Sequence, residues 1–308
     1  ADLRMQFAAE VSNECRTVYP PGLVPLLCAL SERLSNGDYP LPLVQLKSEA
    51  TNFVWQCVRG LLVAFQNDSV LVNEILGYVS QACKQGIASN VILHHRGEAA
   101  LKQYLATISL LELIHESCQH MHDAAMLDFV MQVFQAHLEW GYNMTYHRWR
   151  ISTLCLEIFL AVVVDGNLNA VPEAVALEYH SRSIQCEVGQ ESKGEALLKH
   201  LPNDPKFYQV LFSILGTGIQ FLQHARMTRQ CRLETPAVKA CVPMVLHFTQ
   251  IVLNSLLMER QRNPQHLCTV FEVGMMETMV GGYGQPQMPL VALVFSLINS
   301  ENKEVSMV

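Results

Sequence analysis

The sequence lacks the local signatures on which most catalytic and metal chemistry rests. Its ten cysteines form no CxxC pair, and no standard zinc spacing occurs. No nucleophile stands beside a base in a recognisable motif, so no catalytic residue is assigned and no enzyme is expected. Short alternating runs of β-branched residues are missing, which argues against strands. No uninterrupted apolar run reaches the roughly 20 residues that a membrane span needs, and no signal peptide is read. Charge is scarce as well: 16% of residues are charged and the net charge is −7. That balance argues against a general nucleic-acid binder, although a local basic patch stays open.

What the chain has in quantity is apolar helix. Half of its 308 residues are hydrophobic, which excludes a disordered chain and allows one elongated domain or two compact ones. Of the ten cysteines (Cys15, Cys28, Cys57, Cys83, Cys118, Cys155, Cys186, Cys231, Cys241 and Cys268), most sit inside apolar helical patterns, where a free thiol behaves as a small buried hydrophobe. This usage fits a reducing compartment, so an intracellular location, cytoplasmic or nuclear, is expected. The chain begins at Ala1, already in a helical pattern, and is expected to be a piece of a larger protein.

The organising stretch is Thr145–Val164. Ile151, Leu154, Cys155, Ile158, Phe159 and Val162 form one stripe at helical spacing, and Leu156, Leu160, Ala161, Val163 and Val164 coat most of the rest. A helix apolar nearly all round is covered on two sides. Around it the pattern predicts about a dozen helices. They include Leu3–Val18, Leu23–Leu34, Leu43–Phe65, Val70–Gln85 capped by Asp68 or Ser69, Glu98–Cys118 and Ala124–Trp140. Beyond the central helix follow one from Pro172 to about Ile184, a short one to His200, and Lys206–Ala225, softly broken by Gly216 and Gly218. A helix from Pro236 to about Arg260 contains Pro243, so a kink is expected near Lys239–Ala240. One from Asn263-Pro264 to Val280 and one over Leu290–Ile298 flank the glycine-rich loop Gly281–Pro289.

Taken in pairs, these helices recur at about 40–60 residues, near the spacing of two- and three-helix repeats. Helix lengths, loop positions and the double-faced helices Leu43–Phe65, Glu98–Cys118 and Ile151–Val164 resemble armadillo or HEAT-type repeats. The resemblance implies an all-α fold, a right-handed superhelix of stacked antiparallel helices (an α-solenoid). It also implies scaffolding and protein or peptide binding, without chemistry of its own and without a cofactor. The polar segment Gln185–Gly194 suggests a division into an N-terminal stack over 1–184, a linker or insertion over 185–204, and a C-terminal stack over 205–308 continuous with the first.

Four clusters are candidates for function. Tyr146, Arg148, Trp149 and Arg150 mix aromatic and basic side chains and suit an acidic peptide, or packing on a neighbouring repeat. Arg226, Arg229 and Arg232 form the densest basic stretch, suited to an acidic partner segment or to complementing helix C-termini. Met275, Met276 and Met279 beside the glycine-rich loop offer an adaptable surface, or core packing. His115, Cys118 and His122 share one helix face and are the candidate metal ligands. The leading expectation is a protein-interaction scaffold that binds a partner helix, amphipathic or acidic, or a linear peptide in a groove. The alternatives are a zinc-binding helical protein or enzyme using the His115 cluster, and a nucleic-acid-binding solenoid using Arg226–Arg232.

Overall fold

Two aspartates start the clearest helices of the computed structural model. Asp68 Oδ1 accepts from the backbone N–H of Val70 (3.0 Å) and Leu71 (3.2 Å), and Asp204 Oδ1 accepts from Lys206 (2.9 Å) and Phe207 (3.1 Å). Each satisfies donors that a helix N-terminus leaves without intrahelical partners. The structure describes residues 25–27, 29, 53, 54, 56–62, 68–88, 98–117, 124–136, 145–166, 193–227, 234–265, 269–280 and 288–292, apart from some helical side chains within these spans. The described part is all-α, save one two-residue strand pair. The expected helices at 3–18 and 172–184 lie outside it.

The chain divides into two units, Ala1–Gln132 and Val133–Val308. The first holds helical residues 53, 54 and 56–62, α1 (Ser69–Ala88), α2 (Glu98–Glu116) and most of α3 (Ala124–Gln135). Leu71, Ile75, Val79 and Cys83 make the buried stripe of α1 at helical spacing. On α2, Leu110, Leu111, Leu113 and Ile114 are buried, and α1 packs on α2. Arg59 Nη2 lies 2.5 Å from Glu116 and Nη1 lies 3.8 Å from Glu112, one turn apart, which ties helical residues 56–62 to α2. Because Arg59 is 41% exposed, this link contributes little stability, about 0–1 kcal/mol.

The second unit is built on α4 (Thr145–Gly166), α5 (Lys193–His200), a 3₁₀ turn (Leu201–Asn203), α6 (Pro205–Met227), α7 (Glu234–Arg262) and α8 (Val270–Glu277). Every residue of α4 from Ile151 to Val163 is buried except Glu157, which is half-buried. The reason is that helices cover it from several directions. α4 packs most extensively on α7 and then on α5. A Cβ at Gly194 of α5 would stand 2.5 Å from the Val162 carbonyl, so only glycine fits that approach. Trp149 lies against α6 at Gly218, and Phe159 stacks on α6 at Phe207, which makes α4 and α6 antiparallel. Val242 and Phe248 meet the same two places, so α7 also runs antiparallel to α6.

These helices converge on an aromatic centre. Phe159 sits 5.5 Å from Phe134 in an edge-on arrangement, 5.8 Å from Phe207 and 6.1 Å from Phe248. Phe134 comes from the end of α3, so its ring belongs to the second unit. Hydroxyls inside this core are satisfied locally: Thr153 donates to the Trp149 carbonyl (2.8 Å) and Thr249 to the Val245 carbonyl (2.7 Å).

Some expectations change and others hold. α6 is unbroken through Gly216 and Gly218, because close packing at Gly218 uses the missing side chain instead of interrupting the helix. α7, as expected, is one helix with Pro243 inside it. The helix expected from Asn263-Pro264 starts only after Thr269 and ends at Glu277. Met279–Val280 then pairs antiparallel with Met288–Pro289. The short helix expected to His200 is α5, and Leu197, Leu198 and Leu201 anchor it and the following 3₁₀ turn in the core.

α7 is long and apolar enough to cross a membrane by length and composition. Its apolar residues serve packing: Val238, Cys241, Val245, Phe248, Val252 and Leu256 are buried at helical spacing, while Lys239, Gln250 and Glu259 are exposed. Charged and amide side chains are costly at bilayer depth.

Candidate functional site

The sequence candidates fall on very different ground. Arg148 and Trp149, expected at a partner surface, are buried, Trp149 completely. The Arg148 guanidinium lies 5.8 Å over the Trp149 ring, and the indole packs towards α6, so this pair holds helices together. Arg150 is half-buried beside them, and the Tyr146 side chain lies outside the described residues. Burial lowers the pKa of the neighbouring His147, favouring its neutral form. Arg226 stands in the last turn of α6 with its side chain outside the described part; Arg229 and Arg232 lie outside the described residues altogether.

His115 is buried in the last turn of α2, where the chain ends its helix through Ser117. The Ser117 hydroxyl donates to the carbonyl of Leu113 (2.9 Å) and lies 3.1 Å from that of Ile114. Cys118 and His122, its expected co-ligands, lie outside the described residues. Among the described residues, no three His, Cys, Asp or Glu side chains gather in a metal-binding arrangement.

The methionine cluster is different. Thr269 caps α8: its hydroxyl accepts from the Glu272 N–H (3.3 Å), and Glu272 Oε2 accepts from the Thr269 N–H (2.7 Å). This reciprocal pair is a capping box. Arg260, in the last turn of α7, adds its guanidinium to the same carboxylate at 2.6 Å and 2.8 Å. On the inner side of α8, Phe271 stacks on Phe212 at 5.2 Å, and the Tyr208 ring closes over Gly274 so tightly that a Cβ there would collide with it. Thr278 N–H donates to the Gly274 carbonyl (2.9 Å), and Leu290 N–H donates to the Thr278 carbonyl (2.8 Å), which fixes the exit into the strand pair.

The outer side of the segment carries several exposed apolar side chains, with the exposed Glu277 between Val270 and Val273 on the helix. Val270 is 40% exposed, Val273 42%, Met276 69% and Met279 51%. Met275 is half-buried between the two sides. Four large apolar side chains on one short, well-fixed segment form an unusual surface, since exposed apolar groups are ordinarily scattered. Neither a protein-family model, nor a curated protein, nor a solved structure matches this chain. The site therefore rests on its own geometry.

Sequence reasoning reaches Met276 and Met279 through their grouping, but not Val270 and Val273. The signal for those two is the T-V-F-E capping box at Thr269–Glu272. It sets the helical phase and places Phe271 and Gly274 inward, and hence Val270, Val273 and Met276 outward.

Proposed function

We propose that the protein is a non-enzymatic interaction scaffold of the α-solenoid kind, stacked in the manner of armadillo and HEAT repeats. It binds a partner amphipathic helix on the outer side of α8. The observation that carries this reading is the exposure of Val270, Val273, Met276 and Met279 on a segment held from behind by Phe271, Gly274 and the Thr269–Glu272–Arg260 cluster. The antiparallel packing of α4, α7 and α8 each on α6 supports the repeat architecture. Adaptable methionines flanked by β-branched residues suit helix-in-groove recognition, in which apolar anchors enter at i, i+3 and i+7.

The test uses a displayed library of amphipathic helical peptides selected on the purified chain, with each enriched peptide then titrated against protein labelled at the methionine ε-methyls. Binding at this surface shifts the Met276 and Met279 methyl resonances and is lost in Met276→Asp without a change in melting temperature. Enriched peptides that leave both methyls unmoved, or a selection that enriches none, refute the reading.

A further inference from the structure

We draw no further inference here: the strongest candidate, the exposed apolar face of α8 and the adjoining strand formed by Val270, Val273, Met276 and Met279, already carries the proposed function, and nothing in the structure shows which particular partner covers it.

Discussion

Replacing Phe159 with alanine tests whether α4 is the centre of the second unit. Phe159 is fully buried and its ring meets Phe134, Phe207 and Phe248 at 5.5, 5.8 and 6.1 Å. Truncation of a buried phenylalanine costs about 3–5 kcal/mol, because lost transfer energy adds to an unfilled cavity. Each well-placed ring pair adds roughly 0.5–1.5 kcal/mol beyond area burial, which puts this site in the upper part of that range. Against a typical total of about 5–15 kcal/mol, such a loss is a large fraction of stability. The assay is urea unfolding followed by Trp149 fluorescence, with Trp55 and Trp140 changed to phenylalanine so that one buried indole of the second unit reports. Phe159→Ala should move the midpoint strongly at constant slope, whereas Leu257→Ala, at a side chain 55% exposed, should stay within about 0.5 kcal/mol. A loss below about 1.5 kcal/mol for Phe159→Ala would refute the central role, because no fully packed aromatic site collapses that cheaply.

Gly218→Ala should destabilise the second unit by about 1–3 kcal/mol through overpacking, despite alanine's better helix propensity, since its Cβ would lie 2.6 Å from Val242 Cγ2. Adding Val242→Ala should cost less than the sum of the two single losses, and strict additivity in the double-mutant cycle would show that this contact is irrelevant. Thr269→Ala removes the cap of α8 and should cost about 0.5–2 kcal/mol locally. Amide exchange over Glu272–Met276 should accelerate while exchange in α4 does not, and uniform acceleration would contradict a local effect. Burial raises the Cys241 thiol to about 12 and holds Cys155 well above its ordinary value of 9.0. Both thiols then keep their protons in the native state where the unfolded chain releases them. Their stabilising contribution is complete below pH 9.0 and is lost as pH rises towards about 12, so the urea midpoint should fall over that window. Cys241→Ala should flatten the fall, and an unchanged slope would disprove the assignment.

How much of this was legible in the sequence depends on where the deciding chemistry lies. α4 is visible in advance because a helix apolar on nearly every side, interrupted by Glu157 and too short in its apolar run for a span, has to be covered by other helices. The starts at Asp68 and Asp204 are visible because capping is local chemistry. At the C-terminal end two local signals compete. Asn263-Pro264 reads as a helix start, yet the capping box six residues further on governs, reinforced by Arg260, which comes from a different helix. Gly218 misleads for the opposite reason. Its propensity argues for a break, but the approach of Val242 and Trp149 outweighs the roughly 1 kcal/mol that glycine costs a helix. For Arg148 and Trp149 the sequence leaves a partner surface and packing on a neighbouring helix both open, and the tertiary packing decides for the second.

The same limit separates Met275 from Met276. The two are adjacent and chemically identical, and composition assigns both to a core or both to a surface. Tyr208 decides between them: its ring lies over Gly274, Phe212 takes Phe271, and the helix can turn no further. Met276 is thereby directed outward and Met275 is left at the margin. An eight-residue helix has little stability of its own, so the cap, the Arg260 ion pair and the strand pair are what keep this outer side in one arrangement. Met276 lies opposite Phe271 and Gly274 on the helix, so its 69% exposure could be relieved only by a rotation that uncovers Phe271. Holding it out in a fixed conformation lowers the ordering cost of any helix that docks there. Hence loosening α8 with Thr269→Ala should weaken peptide capture even though Thr269 is buried and forms no part of the exposed surface.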